Sequence, residues 1–406
     1  MIKLPFLPSN PVSRLRVAGL GLGLKVLPFP VPVSFVGVDS SLTLCREIAA
    51  TGIKKLTLVT DGPLVKLGVV APLIETLRAA GLKVDVFDKI EPDPGYEMIE
   101  DGVARLRSFG AEAVLAVGGG SSIDGAKSMV ACYANDCSPS DLIGLFKVRK
   151  SGIPFYAVPT TAGTGSEVTI AAVVTDKAAG QKHAVIDFKL VPKMVALDPA
   201  LMVGLPPHIT AATGMDALTH AVEAYISTIA NAETDRMALA ATASIVRYLP
   251  TAFKDGKNME ARERMALASF NAGLAFTRSG VGYVHAIAHQ LGGLYHVPHG
   301  LANAILLPYV LDFSLEDCAH RLAELARCAG LEKGSMDDHA LAEKFIAHIR
   351  LMNKRMGIPT TIEKLRREDF DTIVSRALAE AHGTYAIPRY MTREDAFALL
   401  DSLLPH

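Results

Sequence analysis

The sequence predicts an α/β domain built on a parallel sheet, followed by an all-α domain. Between residues 33 and about 200, short runs rich in β-branched residues alternate with helical periods, which is the pattern of a parallel sheet covered by helices. After the double proline at 206–207 the chain contains only long helical segments. The 406 residues, half of them hydrophobic, are enough for two domains with large cores. We expect an extension at 1–30, the α/β domain at 31–205 and the helical domain at 206–406.

Six apolar runs are the predicted strands of the sheet. They lie at 33–38, 56–60, 83–87, 113–117, 154–158 and 194–197. The helical periods between the earlier runs lie at 42–50, 65–80, 96–109 and 123–133. Because open parallel sheets bind ligands at the carboxyl ends of their strands, the residues that directly follow a strand are the first candidates for a binding site.

The strand at 113–117 runs directly into GGGSSID at 118–124, which is followed by a helix. Three glycines let the backbone come close to a ligand, and the amides at a helix start attract phosphate. The motif is not GxGxxG, so by itself it indicates phosphate or nucleotide binding and no more. A tight strand-to-helix turn is the alternative interpretation.

Two further candidates follow strands. PTTAGTGSEV at 159–168 offers hydroxyls and glycines that could line the same phosphate cleft, although alone it is equally a polar loop. Asp61 ends the second strand, where a carboxylate can accept hydrogen bonds from an adenosine ribose and repel a 2′-phosphate, which favours NAD over NADP. Capping of the following helix explains Asp61 equally well.

The helical half contains five polar residues in apolar surroundings. Asp216 and His220 are four apart on one predicted helix, and His285 and His289 repeat that spacing on another, so each pair shares a helix face. His299 follows a proline and precedes a glycine, as expected for a loop or a helix edge. A carboxylate with imidazoles is a sensible set of ligands for a divalent metal. Isolated histidines are more often structural, so spacing alone leaves both interpretations open.

The predicted helices of this half are more numerous than those of the first. They lie at 210–229, 232–249, 260–276, 281–293, 301–313, 317–330, 338–356, 368–381 and 393–403.

The charge and the cysteine content indicate which partners and which location to expect. The formal net charge is −1 and there is no basic tract, so we expect neither a nucleic-acid partner nor a membrane surface. The five cysteines form no CxxC pair, which favours a reducing compartment and a cytoplasmic location. Residues 1–30 lack the pattern of a signal peptide, and their apolar stretch at 17–27 is too short to span a bilayer. We expect them to pack on the body or to mediate oligomer contacts.

At this point the motifs resemble a known family. The iron-containing (group III) alcohol dehydrogenases show a similar collinear series from about residue 31 to the C-terminus. The matching motifs are GGGSSID, PTTAGTGSEVT, LDPALM, GMDALTHAVEAY and VHAIAHQLGGLYHVPHGLANAILLP. The resemblance implies that the N-terminal α/β domain binds a dinucleotide, that the C-terminal domain is helical, and that the active site lies in the cleft between them.

The resemblance also implies roles for the metal block. Asp216, His220, His285 and His299 match the family's four protein ligands of a divalent iron. His289 matches a catalytic histidine near the nicotinamide and the substrate that is not a ligand. Because histidine titrates near neutral pH, it is the side chain we expect to pass the released proton towards solvent. Three nitrogens and one oxygen suit Fe²⁺ and Zn²⁺ alike, so the choice of iron rests on the resemblance.

The expected cofactor is NAD, whose binding residues are implied in the same way. The positions that match the family's cofactor contacts are Asp61, Gly119, Gly120, Ser121, Asp124, Thr160, Thr161, Thr164, Lys182 and Leu201. Phe276 matches an aromatic residue that lines the substrate pocket. The family's usual Pro-Asn-Pro is replaced by Pro92-Asp93-Pro94, a swap that removes an amide donor and adds a charge, so cofactor affinity or choice is expected to shift.

The implied activity is NAD-linked, metal-dependent interconversion of a primary alcohol or diol and its aldehyde, by a homodimer or larger homo-oligomer. One alternative is a specialised reductase of the same superfamily, acting on lactaldehyde, 1,3-propanediol or a hydroxy acid. Another is a lyase of the dehydroquinate synthase type, which would need several basic residues to grip its anionic substrate. Arg278 is the only basic residue that the sequence places near a ligand, which argues against the lyase. A third alternative is a non-catalytic protein that binds a metal or a nucleotide. In that case the metal block and the phosphate loop would both have to be vestigial.

Overall fold

The computed structural model describes residues 29–405. Within them the strands, in chain order, are β1 (Val33–Val36), β2 (Lys55–Asp61), β3 (Lys83–Ile90), β4 (Ala113–Gly118), β5 (Gly144–Leu145), β6 (Phe155–Pro159), β7 (Ala171–Asp176), β8 (Gln181–Ile186) and β9 (Met194–Leu197). The main sheet has the order β1-β9-β6-β4-β2-β3, and all its neighbouring strands are parallel. Its members correspond to the six predicted runs, so the predicted α/β class is confirmed.

Alternate residues of the central strands feed two hydrophobic cores. Leu58 of β2 and Leu115 of β4 belong to the core on one face of the sheet, and Val59 and Val114 belong to the core on the other. Every residue of β4 is buried. Helices cover both faces of a central parallel strand, so its sequence is a continuous apolar run. This is why these strands could be recognised in the sequence.

The helices of this half come between the strands. They are α1 (Ser40–Ala50), α2 (Gly62–Lys66), α3 (Ala71–Ala79), α4 (Tyr96–Phe109), α5 (Gly120–Asn135) and α6 (Pro139–Leu142). The single helix predicted at 65–80 is wrong, since α2 and α3 take its place. Gly68 lies between them with a φ of 73°, a left-handed conformation that glycine adopts without steric cost.

A second, smaller sheet was not predicted. Strands β7 and β8 form an antiparallel hairpin, and β5 pairs with β8, giving the order β5-β8-β7. The stretch 171–186 has only the short β-branched runs at 173–175 and 185–186, separated by alanines and the turn DKAAGQK, so its sequence shows no clear strand or helical period. The hairpin packs against α5 and carries Lys182 towards the helical half.

The second half of the described chain is helical, as predicted. Its helices are α7 (Pro207–Ile226), α8 (Ala232–Lys254), α9 (Met259–Ser279), α10 (Tyr283–Tyr295), α11 (His299–Cys328), α12 (Asp338–Arg355), α13 (Phe370–Thr384) and α14 (Arg393–Asp401). The two helices predicted at 301–313 and 317–330 both lie within α11, which consists of two helical segments that meet at a kink at Cys318, where φ is −138° and the backbone is not helical. The boundaries 31–205 and 206–406 remain predictions.

Helix α7 lies at the centre of this half. It packs against α8, α9 and α11, and every residue from Gly214 to Ile226 is buried. Gly214 permits the close approach, because a Cβ at that position would overlap Leu249 of α8. Polar residues on α7 are therefore held in the interior and need partners there.

The predicted extension at 1–30 lies almost wholly outside the described residues. Phe29 packs edge-on against Phe188, with 5.0 Å between ring centroids, and the guanidinium of Arg278 lies 5.0 Å from the centroid of the Phe29 ring. Across residues 29–405, no helix combines the length and the apolar character that crossing a bilayer requires.

Candidate active site

Four side chains from three helices meet in the interior. Asp216 and His220 come from α7, His285 comes from α10, and His299 is the first residue of α11. One potential ligand atom from each lies within 4.8 Å of all the others. The structure thus brings together the four residues predicted to bind a metal, and His289 is not part of this group among the described residues.

Glu223 fixes the ring of His285. It lies on the same face of α7 as His220, and its Oε2 accepts a hydrogen bond from Nδ1 of His285 at 2.6 Å. The carboxylate also accepts the backbone N–H groups of Gly282 and Val284, each at 2.8 Å, at the start of α10. Burial raises the pKa of Glu223 to about 7, against the lowering effect of those amides. Because Nδ1 of His285 is hydrogen-bonded to the carboxylate, Nε2 is the ring nitrogen available to the cluster. Carboxylates orient metal-binding histidines in this way.

The ring of His220 is held by packing and by one backbone contact. It stacks against Phe276 on one side and His285 on the other, with ring centroids 4.2 and 4.6 Å away. Its Nδ1 lies 3.3 Å from the carbonyl oxygen of Gly163. This carbonyl belongs to the threonine-rich loop, so one backbone group links the loop to the cluster. Phe276, predicted as a pocket aromatic, lies beside the cluster.

Asn303 lies among the acceptor atoms of the cluster. Its Nδ2 donates to Oδ1 of Asp216 at 2.6 Å and lies 3.1 and 3.2 Å from Nε2 of His285 and of His299. Its Oδ1 is buried without a hydrogen-bond partner among the described residues. An orphaned oxygen beside so many acceptors indicates a site built to hold a cation rather than a closed hydrogen-bond network.

The protonation states also suit a metal. Burial holds the pKa values of His285 and His299 well below the ordinary value, so both rings are neutral near pH 7. Burial alone would raise the pKa of Asp216, but the neighbouring histidines and the Asn303 amide outweigh it, and the pKa lies below its ordinary value. Neutral imidazoles and an ionised carboxylate are the forms that bind divalent metals.

The two loops predicted to bind phosphate lie against each other. The backbone N–H of Thr160 donates to the carbonyl of Gly118 at 2.9 Å. A Cβ added to Gly120 would lie 2.8 Å from Cγ2 of Thr164, so only glycine permits this approach. Helix α5 begins at Gly120, and its first N–H groups lie in the angle between the loops. An anion-binding cradle is the expected result.

The buried Lys127 and the half-buried Asp124 anchor the threonine-rich loop to α5. Lys127 is fully buried and donates to the carbonyl of Thr169 at 2.8 Å, and burial lowers its pKa to about 8. Asp124, three residues earlier, accepts from the hydroxyl of Ser166 and from the backbone N–H of Val173 at 3.0 Å. The carboxylate predicted to contact the cofactor is therefore also a structural tie between loop and hairpin.

One cavity of about 350 Å³ adjoins both the cluster and the loops. The predicted site residues that line it are Gly120, Ser121, Asp124, Thr164, Lys182, His220, Phe276, His285, His289 and His299. The predicted residues outside its lining are Asp61, Gly119, Thr160, Thr161, Leu201 and Asp216. The cluster and the cradle thus share a single space, on the helical side of the strands' carboxyl ends.

Three of the predicted cofactor residues have partners within the protein. Asp61 caps α2, since its Oδ1 accepts the N–H of Leu64 at 2.9 Å. Leu201 is half-buried against the sheet. Lys182 pairs with Asp93, the residue that replaces the family's asparagine, at 2.5 Å. The roles predicted for these residues remain predictions.

Three polar residues that contact the cluster or His289 were not predicted from the sequence. Glu223 follows Asp216 by seven residues and Asn303 follows His299 by four, so the helical period that revealed the ligands places both on the same faces. Glu380 lies on α13, and no local signal connects it with the site. It pairs with His289.

The comparisons with known proteins agree with this geometry. Residues 32–199 match the profile described as iron-containing alcohol dehydrogenase, and residues 210–404 match that of the C-terminal part of the Fe-containing alcohol dehydrogenase family. The chain belongs to the iron-containing alcohol dehydrogenase family. The predicted class of enzyme, an oxidoreductase acting on alcohols, is thereby confirmed.

Individual relatives cover nearly the whole of this family member. An NAD-dependent methanol dehydrogenase of Bacillus methanolicus is 37% identical over 378 residues, 93% of this chain and 99% of the relative. A 1,3-propanediol dehydrogenase of Klebsiella pneumoniae is 38% identical over 383 residues, 93% of this chain and 99% of the relative. The crystal structure of a 1,3-propanediol oxidoreductase superposes with a TM-score of 0.90 at 38% identity, covering 93% of this chain and 100% of that one.

Proposed function

We propose that this alcohol dehydrogenase interconverts a primary alcohol and its aldehyde, with NAD as the hydride acceptor and a divalent metal, Fe²⁺, at the histidine cluster. One observation carries the proposal: a single cavity is lined by His220, His285 and His299 on one side and by Gly120 and Thr164 of the cradle on the other. A substrate oxygen at the cluster and a nicotinamide reaching in from the cradle would then be neighbours.

The metal would be held by Asp216, His220, His285 and His299, whose donor set of one carboxylate and three imidazoles fits it. A bound divalent metal supplies a Lewis acid that favours the alkoxide form of the alcohol and polarises the carbonyl of the aldehyde. The buried, unpartnered Oδ1 of Asn303 supports the presence of a cation in this place. Iron is chosen over zinc because of the family.

NAD would lie across the cradle. We propose that Gly119, Gly120 and Ser121 offer backbone and hydroxyl donors to the pyrophosphate, where the start of α5 favours negative charge. The other proposed contacts are Asp61, Asp124, Thr160, Thr161, Thr164, Lys182 and Leu201. The carboxylate of Asp61 supports NAD over NADP, because it would repel a 2′-phosphate.

Oxidation of the alcohol releases one hydride and one proton. NAD bound at the cradle would supply the hydride acceptor, and we propose that His289, which lines the cavity and is 22% exposed, takes up the proton. A half-buried histidine can exchange that proton with solvent. In the reverse direction His289 returns the proton to the forming alcohol.

The substrate we propose is an uncharged alcohol with an apolar tail. The large apolar side chains on the cavity wall are Leu145, Phe146, Ile170, Val173, Ile186, Ile229, Phe276 and Val281. Among its lining residues Lys182 is the only lysine or arginine, and Asp93 already neutralises it. Arg278 lies outside the lining and pairs with Glu233 at 2.5 Å. A carboxylate or phosphate tail would therefore be buried without a partner, which argues against a hydroxy-acid reductase and against a lyase.

We expect the metal-stripped protein to form no NADH, and anaerobic reloading with Fe²⁺ to restore alcohol-dependent NADH formation. Butanol should exceed 4-hydroxybutyrate, a primary alcohol of the same chain length with a terminal carboxylate, in kcat/KM by about 100-fold, since an unpaired buried carboxylate costs roughly 3 kcal/mol. NAD should be preferred to NADP. Steady-state kinetics with these alcohols and with each cofactor measure both preferences. Equal use of 4-hydroxybutyrate would contradict the apolar-tail proposal, and no NADH with any alcohol would contradict the function.

We also propose that the enzyme is a homodimer or larger homo-oligomer that pairs through β1. Within residues 29–405 this strand is at the edge of the main sheet, and Val33 and Val36 are 59% and 44% exposed, with Val31 and Val38 similarly exposed beside it. Exposed apolar edge strands favour pairing with another chain. Light scattering after size exclusion should show a dimer or larger assembly, and Val33→Asp should shift it towards the monomer. A monomeric native protein would refute the proposal.

We propose a cytoplasmic location for the enzyme. The described chain contains no disulfide, and its five cysteines are free, which supports a reducing compartment. Cell fractionation with an antibody against the protein would check this.

A further inference from the structure

The environment of His289 repeats that of His285, one helical turn earlier on α10. His285 faces Glu223 through Nδ1 at 2.6 Å, and His289 faces Glu380 of α13 through Nδ1 at 2.7 Å. The first carboxylate is bonded to a histidine of the metal cluster. The second is bonded to a histidine that lies outside the cluster but lines the same cavity. The function proposed above assigns no role to Glu380.

The Glu380 carboxylate is itself held by other donors. Its Oε1 accepts the hydroxyl of Tyr385 at 2.5 Å in addition to His289, and its Oε2 accepts the side-chain amide of Gln290 at 3.2 Å. Three donors, two from α10 and one from the residue that follows α13, thus converge on one carboxylate. Such a network fixes the side chain more firmly than a single hydrogen bond does.

The charges within the network are consistent. Burial would raise the pKa of Glu380, but His289 and the hydrogen bond from Tyr385 outweigh it, and the pKa lies below its ordinary value. Burial and the neighbouring carboxylate hold the pKa of Tyr385 well above its ordinary range, so the phenol keeps its proton and remains a donor. An ionised carboxylate can only accept hydrogen bonds, so the nitrogen that faces it must carry a hydrogen.

We propose that Glu380, held by Tyr385 and Gln290, is a positioning residue for His289. It keeps the imidazole hydrogen on Nδ1, so that Nε2 presents a lone pair to the cavity as the acceptor of the substrate proton. This inference rests on the proposed role of His289. A ring that carries its hydrogen on Nε2, or that is free to turn so that an N–H faces the cavity, would present a donor to the substrate hydroxyl. Such a ring could not accept the substrate proton.

The kinetic test uses the full-length, Fe²⁺-loaded enzyme. Glu380→Ala should lower kcat by about 10- to 100-fold, as the loss of a residue that orients a functional histidine does, while KM and bound metal stay within about twofold. Glu380→Gln should recover part of that loss, because the amide oxygen can still accept from Nδ1. Tyr385→Phe should cause a smaller loss in kcat, and it tests the network if the Glu380 variants fold poorly. Glu394→Ala, an exposed carboxylate on α14, is the matched control.

A spectroscopic test is independent of turnover. In nitrogen-15 spectra of the Zn²⁺-loaded protein, the histidine signal that disappears in His289→Ala should report the Nδ1–H tautomer, and in Glu380→Ala it should change to the Nε2–H form or to exchange between the two. Unchanged kcat and an unchanged tautomer in Glu380→Ala would overturn the inference. A wild-type protein that oxidises no alcohol would instead overturn the proposed function, and the tautomer would still test the positioning of His289.

Discussion

Replacing His285 with alanine should abolish stable metal binding and lower kcat/KM by about a thousandfold. The ring is buried at the centre of the cluster, between His220 and Glu223, so no solvent-exposed side chain can take its place. A Lewis-acidic metal contributes several kcal/mol to stabilising the developing alkoxide, and each 1.36 kcal/mol corresponds to a tenfold change in rate. The substitution also leaves the Glu223 carboxylate without its histidine partner, which adds to the loss.

Metal content after anaerobic reloading and steady-state kinetics measure this effect. His208→Ala is the matched control, because His208 is an exposed histidine on α7, the helix that carries Asp216 and His220. The control should keep the metal content and kcat/KM of the native enzyme. A His285→Ala variant with native metal content and native kcat/KM would show that the cluster is not the catalytic metal site.

Glu223→Ala should destabilise the fold and weaken metal binding together. The carboxylate satisfies the N–H groups of Gly282 and Val284 and orients His285, and its side chain is almost completely buried. Removing a buried acceptor from several donors costs about 3 to 5 kcal/mol in the free energy of unfolding. The loss of a carboxylate that orients a metal-binding histidine lowers metal affinity by about 10- to 100-fold.

Two measurements separate these effects. Urea unfolding of the metal-stripped protein gives the loss of folding free energy, and competition with a chelator gives the metal affinity. Glu47→Ala removes an exposed glutamate from α1 and should leave both unchanged. If Glu223→Ala lost stability but kept native metal affinity, the residue would serve only to cap α10, and its orienting role would be refuted.

The parts of the structure that the sequence predicted are those that depend on local periodicity. The strands of the main sheet were recognisable because a parallel strand buried on both faces must be apolar throughout, as β4 is. Asp216 and His220 could be paired because four residues make about one turn of helix, and this spacing holds on any helix. The prediction of His299 at a helix edge also came from local chemistry, since a proline precedes it and α11 begins there.

Sequence periodicity places residues on one face of a helix, but it does not say which face meets which. Only the tertiary structure brings Glu380 from α13 to His289 on α10, 91 residues away, and Lys182 on an unpredicted hairpin to Asp93. Each of these partners is a common polar residue without a local signal, and its importance comes from its contact with a side chain that lines the cavity. Helix periodicity thus predicted the candidate metal ligands. The packing of one helix against another determined which side chains orient those ligands and the neighbouring His289.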